Sequence, residues 1–130
     1  MSALVEGTAL PGQAVVPTLR QLVRYAGASR DFYEMHYDLD VARDQGHREL
    51  SVHGLLKAAL LGRYVRGQVP AGGRLRSLQV SYRGMDFRDE EMRLGGRVVS
   101  VADGVARLEI WIDSVDGTRS TLGEAEVEQP

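Results

Sequence analysis

The stretch Leu55 to Val65, LLKAALLGRYV, limits the possible folds more than any other part of the chain. On a helix, Leu55, Leu56, Ala58, Ala59, Leu60, Leu61, Tyr64 and Val65 place apolar side chains almost all the way round. Such a helix cannot lie on a surface; it must be buried on most faces. His53 or Gly54 opens it, Gly67 closes it, and it is expected to run to about Arg66. Lys57 breaks its longest apolar run.

The material to enclose that helix follows Gly73, where the hydrophobic period changes to two. Leu78, Val80 and Tyr82 alternate with Ser77, Gln79 and Ser81. Leu108, Ile110 and Ile112 alternate with Arg107, Glu109, Trp111 and Asp113, and Thr121, Gly123, Ala125 and Val127 with Leu122, Glu124, Glu126 and Glu128. This pattern belongs to half-buried strands. Met92, Leu94, Val98 and Val99 mark a further strand, with a bulge expected at Gly95-Gly96. Asp103-Gly104 and Asp116-Gly117 are hairpin turns. An antiparallel meander of about four strands, wrapped round one buried helix, is predicted: an α+β fold.

Upstream, Met1 to Pro17 reads as an extended lead-in with a turn at Pro11-Gly12. Thr18 is a good N-cap for a helix to about Ala28, with Leu19, Leu22, Val23 and Ala26 as its apolar stripe. Ser29 to Asp40 is polar and aperiodic, hence loop; Val41 to Gln45 is one helical turn stopped by Gly46; Pro70 to Gly73 is a flexible link.

The 130 residues fit a single domain spanning 1–130, and 43% hydrophobic content supplies a core. A chain of this size buries about two-thirds of its unfolded surface. The basic residues are all arginine except Lys57; they are scattered, and the net charge is −2, so no nucleic-acid partner is expected. The absence of cysteine excludes disulfides and thiolate chemistry. Met1 to Gly12 has neither the basic start nor the apolar run of a signal peptide. No stretch approaches the roughly 20 apolar residues of a membrane helix. A cytoplasmic protein without a membrane partner is the expectation.

The chemistry-bearing residues gather just before the buried helix, in Asp31 to Leu56, DFYEMHYDLDVARDQGHRELSVHGLL. On a helix, Asp31 and His36 would stand about 140° apart, so they can converge only from a loop. A carboxylate and an imidazole beside a helix that begins with glycine suit water chemistry next to a carbonyl. Taken singly, Asp31 reads as a solvated or capping aspartate, His36 as a loop histidine and His53 as a cap or structural residue. His36, His47, Asp38 and Asp40 lack a recognised ligand spacing, so no metal is expected. Arg63, Arg66, Arg74 and Arg76 form a solvated surface or a contact for phosphates. Gly95-Gly96 follows no strand-to-helix junction and is not a phosphate loop.

As a set, these residues resemble the MaoC-like hydratases and dehydratases of the hot-dog fold. The family pattern runs from Tyr-Ala-Gly-Ala-Ser through Asp-x-Asn-Pro-x-His and a small residue to a His-Gly step that opens the central helix. Here Tyr25 to Ser29 reads YAGAS, Asp31 and His36 keep the spacing, Ala42 follows His36 with five residues between, and His53-Gly54 opens the helix. Tyr33-Glu34 replaces the family's Asn-Pro. Arg30 to Phe32 with His36 to Asp38 resembles a subset of actinobacterial acyl dehydratases. Some of these act on steroid side-chain CoA thioesters and pair with a second, non-identical hot-dog subunit.

The resemblance implies a single hot-dog domain that reversibly hydrates trans-2-enoyl-CoA to 3-hydroxyacyl-CoA. Asp31 and His36 would grip and activate the water, one as base and one supplying the proton. CoA would be part of the acyl-CoA thioester substrate, with no separate cofactor. The assembly would be a homodimer, or a heteromer with a related hot-dog subunit. Gly54 N–H is the candidate for the thioester oxygen, because a helix N-terminus offers free N–H groups and a favourable dipole. Its missing side chain permits close approach. Tyr33, His53 and Leu55 are expected to line the substrate. Two rivals stay open: an acyl-CoA thioesterase, a chemistry the same fold hosts, and a non-catalytic subunit of a heteromeric dehydratase.

Overall fold

The apolar helix is enclosed by one antiparallel sheet. The protein is described here by a computed structural model covering residues 2–130. Its elements are β1 (Ala9–Val15), α1 (Leu19–Ser29), a 3-10 turn (Glu34–His36), α2 (Leu39–Asp44), α3 (Gly54–Arg66), β2 (Arg74–Tyr82), β3 (Met92–Ala102), β4 (Val105–Asp113) and β5 (Arg119–Glu128). The five strands lie in the order β1-β3-β4-β5-β2. Leu56, Leu60, Leu61, Tyr64 and Val65 of α3 pack in one core with Leu94, Val98, Leu108, Ile110, Ile112, Ala125 and Val127 of the sheet. The period-two pattern therefore gives the inner face correctly; α3 is buried on the side the sheet covers, while Leu55 and Ala59 of its expected apolar set stay exposed.

The hairpins form where the turn residues put them. Asp103 and Gly104 both take positive φ, 52° and 74°, as a tight β3–β4 turn requires. Gly117 takes φ 86°, and Ser114 N–H donates to Thr118 O at 2.7 Å across the second hairpin. Thr18 caps α1 as expected, accepting from Gln21 N–H at 3.2 Å.

Five expectations are corrected. The second half holds four strands as expected, but β2 lies beyond β5 rather than beside β3, and the sheet has a fifth strand from the lead-in. The additional strand is β1, which contains Pro11 and Gly12: these form no turn but sit where the β1–β3 register slips between Leu10 and Gln13. Proline is tolerated there because the strand is at the sheet edge and bulged. The expected bulge at Gly95-Gly96 lies instead at Val99, where the β3–β4 register shifts between Val98 and Ser100. The two glycines have a packing reason: a Cβ on Gly95 would stand 2.6 Å from Trp111 Nε1, and one on Gly96 2.7 Å from Glu109 O. The α1 stripe is half realised, with Leu22 and Ala26 buried but Leu19 and Val23 exposed, because only one side of this helix meets the core. Ser29 to Asp40 is not all loop. It holds the 3-10 turn and the start of α2, whose N-cap Asp38 accepts from Asp40 N–H and Val41 N–H.

Candidate active site

Ser29 ends α1 by turning its hydroxyl back to Tyr25 O at 2.7 Å, and Arg30 follows in the left-handed conformation, φ 63°. That reversal takes Asp31 off the helix and turns it toward the 3-10 turn carrying His36. Asp31 Oδ2 and His36 Nε2 stand 4.0 Å apart; His36 is buried and the Asp31 side chain is 39% exposed. The convergence that a helix would forbid is thus made by a left-handed residue and a short turn.

His36 is held from behind. Its Nδ1 lies 2.8 Å from the main-chain carbonyl of Ser51. A carbonyl only accepts, so Nδ1 carries a hydrogen, and in the neutral ring the lone pair is then on Nε2, the nitrogen facing Asp31. Ser51 N–H donates to Met35 O at 3.2 Å, tying the same segment to the 3-10 turn.

His53 lies on the other side of His36, with ring centroids 3.8 Å apart and planes 20° from parallel. Tyr25 meets His53 edge-on at 5.0 Å, and Tyr33 meets His36 edge-on at 6.3 Å. His53 Nε2 approaches Asp31 O at 3.3 Å and therefore donates to it. Burial, with His36 alongside, holds the His53 imidazole below the ordinary histidine range, so it stays neutral. Its Nδ1 is buried without a hydrogen-bond partner. Asp31, His36 and His53 each bring one ligand-type atom within 4.8 Å of the others. His53, donating through Nε2, could serve a metal only through Nδ1.

Gly54 is the first residue of α3, and His53 supplies it no side-chain cap. Its N–H has no partner within the helix. A Cβ on Gly54 would lie 3.2 Å from Tyr82 Cζ, so the Tyr82 ring forms a wall over this glycine. Leu55 comes next and is 60% exposed on the first turn of α3. The structure thus brings Asp31, His36, His53 and Tyr33 together by contact and places Gly54 and Leu55 directly after His53. Asp38 is spent on its cap. Arg74 pairs with Glu128, and Arg76 with Glu126 and Glu128. A shallow groove over Trp111, Leu122 and Gly123 lies elsewhere, on the outer face of the sheet.

Sequence reasoning missed Tyr25, Ser51, Tyr82, Lys57 and Asp86 as contributors. Tyr25 lies inside the YAGAS motif and could have been found there. Ser51 acts through its carbonyl, which no side-chain pattern reveals. Lys57, expected only to interrupt the apolar run, is buried against Asp86.

With this geometry in view, the chain can be set beside known proteins. No model of a protein family matches it. It is 27% identical over 120 residues, 92% of its length, to the 3-oxo-4,17-pregnadiene-20-carboxyl-CoA hydratase beta subunit of Mycobacterium tuberculosis, of which it covers 88%. Among solved structures it superposes on a chain of the ChsH1-ChsH2 complex from Mycobacterium tuberculosis with a TM-score of 0.88 at 24% identity, covering 97% of this chain and 98% of that one. It matches the (R)-hydratase from A. caviae involved in PHA biosynthesis with a TM-score of 0.91 at 23% identity, over 100% of both chains. The protein has the hot-dog fold, and its resemblance to the MaoC-like hydratases and dehydratases extends through the whole sheet and its central helix. The 3-oxo-4,17-pregnadiene-20-carboxyl-CoA hydratase beta subunit is a relative that it resembles over 92% of its length.

Proposed function

We propose that this protein is a hydro-lyase that adds water reversibly to a trans-2-enoyl-CoA, giving a 3-hydroxyacyl-CoA. The supporting observation is the pair Asp31 Oδ2 and His36 Nε2, 4.0 Å apart, with Nδ1 of the same imidazole bound to Ser51 O. That gap is too long for a direct hydrogen bond, yet one water with bonds of about 2.8 Å to both would subtend about 90° between them. Both groups are acceptors, so each takes one hydrogen of that water. As its oxygen attacks the β-carbon, His36 Nε2 takes one proton, and Asp31 orients the water and offsets the imidazolium charge. Nε2 then returns the proton to the α-carbon, so H and OH add overall. The developing charge on the thioester oxygen is met by Gly54 N–H at the positive end of α3. No step needs a redox group or a metal.

The expected assay is loss of enoyl absorbance with trans-2-enoyl-CoA. Asp31→Asn keeps the shape but not the charge, and kcat should fall by about 10²- to 10⁴-fold with the fold retained by circular dichroism. Full activity in that variant would remove the mechanism. Release of free CoA thiol in place of 3-hydroxyacyl-CoA would mark a thioesterase instead.

The similarity to a hydratase beta subunit favours a second hot-dog subunit as partner and a bulky, steroid-type acyl group as substrate. The edge strands β1 and β2 of the open sheet leave main-chain groups for such pairing. A lone chain that is a stable homodimer and fully active on medium-chain substrates would overturn both points.

A further inference from the structure

Among the described residues, one charged pair lies inside the protein. The side chains of Lys57 and Asp86 are 3% and 2% exposed, with Nζ and Oδ2 3.1 Å apart. Burial strips both charges of water, and their attraction offsets this only with good geometry and further hydrogen bonds. These are in place: Lys57 Nζ also donates to Gly84 O at 3.0 Å, Ser114 Oγ to Asp86 Oδ1 at 2.8 Å, and Ser120 Oγ to Asp86 Oδ2. Apolar residues of matching volume often hold a core as well as a buried ion pair does. Stability alone is therefore a weak reason for this one.

What the pair joins is informative. Lys57 lies one turn into α3, and its N–H donates to His53 O at 3.1 Å. The main chain of Asp86 to Arg88 runs beside Leu50 to Val52: Val52 N–H donates to Asp86 O at 2.9 Å, Arg88 N–H to Leu50 O at 2.9 Å, and Ser51 bridges Phe87. Ser51 is the residue whose carbonyl holds His36. The Asp86 carboxylate anchors this ladder to Ser114 and Ser120, at the β4–β5 end of the sheet, and to the first turn of α3.

We propose that Lys57 and Asp86 are positioning residues whose ion pair sets the segment from Leu50 to Gly54. Through it they aim the Ser51 carbonyl at His36 and the Gly54 N–H at the thioester oxygen. The proposal rests on the hydratase reading above. Neither residue touches substrate; both stand behind the groups that do. A small displacement of those groups weakens interactions made in the transition state more than substrate binding, so the loss falls on kcat rather than KM.

The test replaces the pair with apolar residues, Lys57→Met with Asp86→Leu, so that no unpaired charge is left buried. The expected result is a folded protein with a melting temperature near that of the parent, kcat lower by about 10²-fold, and KM unchanged. The Gly54 amide and His36 ring-nitrogen resonances shift, while the Asp103-Gly104 amides do not. Parental kcat in the double variant overturns the proposal, as do unmoved Gly54 and His36 resonances. If the double variant fails to fold, Ser120→Ala removes one neutral donor; lower kcat at constant KM supports the proposal, and parental kcat overturns it. An unmodified protein that hydrates no enoyl thioester refutes the hydratase reading, while the resonances still decide whether the pair positions Gly54 and His36.

Discussion

The helix starts of this protein differ in how they are finished. Thr18 closes α1 by accepting Gln21 N–H at 3.2 Å, and Asp38 closes α2 by accepting Asp40 N–H at 3.1 Å and Val41 N–H at 3.3 Å. His53, heading the most deeply packed helix, makes no such bond. A side-chain cap is worth about 1 kcal/mol, so α3 gives up a common source of stability. It is fastened instead by its apolar packing, by Lys57 and Asp86, and by the Leu50–Val52 ladder. Two helix starts are completed by the chain itself. The third has no side-chain cap over its first N–H groups, and it begins directly after His53.

The largest effect expected along this contrast comes from removing one N–H. Proline is well suited to the first position of a helix, and His53 already has φ −56° and ψ 135°, the extended conformation that a following proline prefers. Gly54→Pro should therefore leave α3 formed and delete the donor while adding ring carbons beside Tyr82, lowering kcat by about 10²- to 10³-fold. Gly54→Ala is the steric control. Its Cβ would meet Tyr82 Cζ at 3.2 Å, and Tyr82 is 47% exposed and free to give way. The alanine variant keeps the N–H, so its kcat should fall by about tenfold at most. Equal losses in the two variants would show that Gly54 is there for space and not for its N–H.

At the other helix starts the effect should be on stability alone. Thr18→Ala removes the bond to Gln21 N–H. Unfolding in urea should lose about 1 kcal/mol, with kcat unchanged. A fall in kcat would mean that α1 helps to set Asp31, which follows directly from its end, and the division between capped and uncapped ends would need redrawing.

How much of this is legible in the sequence depends on which atoms carry the information. The start of α3 at His53-Gly54 is legible, but the reading of His53 as a cap is corrected: its side chain makes no capping bond. The Asp31–His36 convergence is legible as a requirement, since a helix would separate them. The means are not: the left-handed Arg30 has no glycine to announce it, and nothing but the folded backbone shows it. Main-chain work is the largest blind spot. Ser51 holds His36 with a carbonyl every residue possesses, and β1 is hidden because Pro11 and Gly12 mimic a turn where the sheet has a bulged edge. Lys57 is misread for another reason. It reads only as a break in an apolar run, and Asp86, 29 residues away in sequence, is what makes it an interior residue.

The gentlest probe changes no residue at α3 but only the pH. Burial and the stacked His36 hold the His53 imidazole below its ordinary value of 6.5, and Tyr25 and the Asp31 carbonyl complete its surroundings. Above pH 6.5 the imidazole is neutral in both folded and unfolded chains, and its contribution to stability is fully present. As pH falls below that value the unfolded chain binds a proton first, so stability declines. The decline from this residue ends once pH has passed below the folded value and both states are protonated. Urea midpoints measured from about pH 7.5 to about pH 4.5 should therefore slope downward. In His53→Phe, which keeps a ring against His36, that slope should be shallower. An unchanged slope would place the proton uptake elsewhere, and His53 would then be no part of what distinguishes this helix start from the other two.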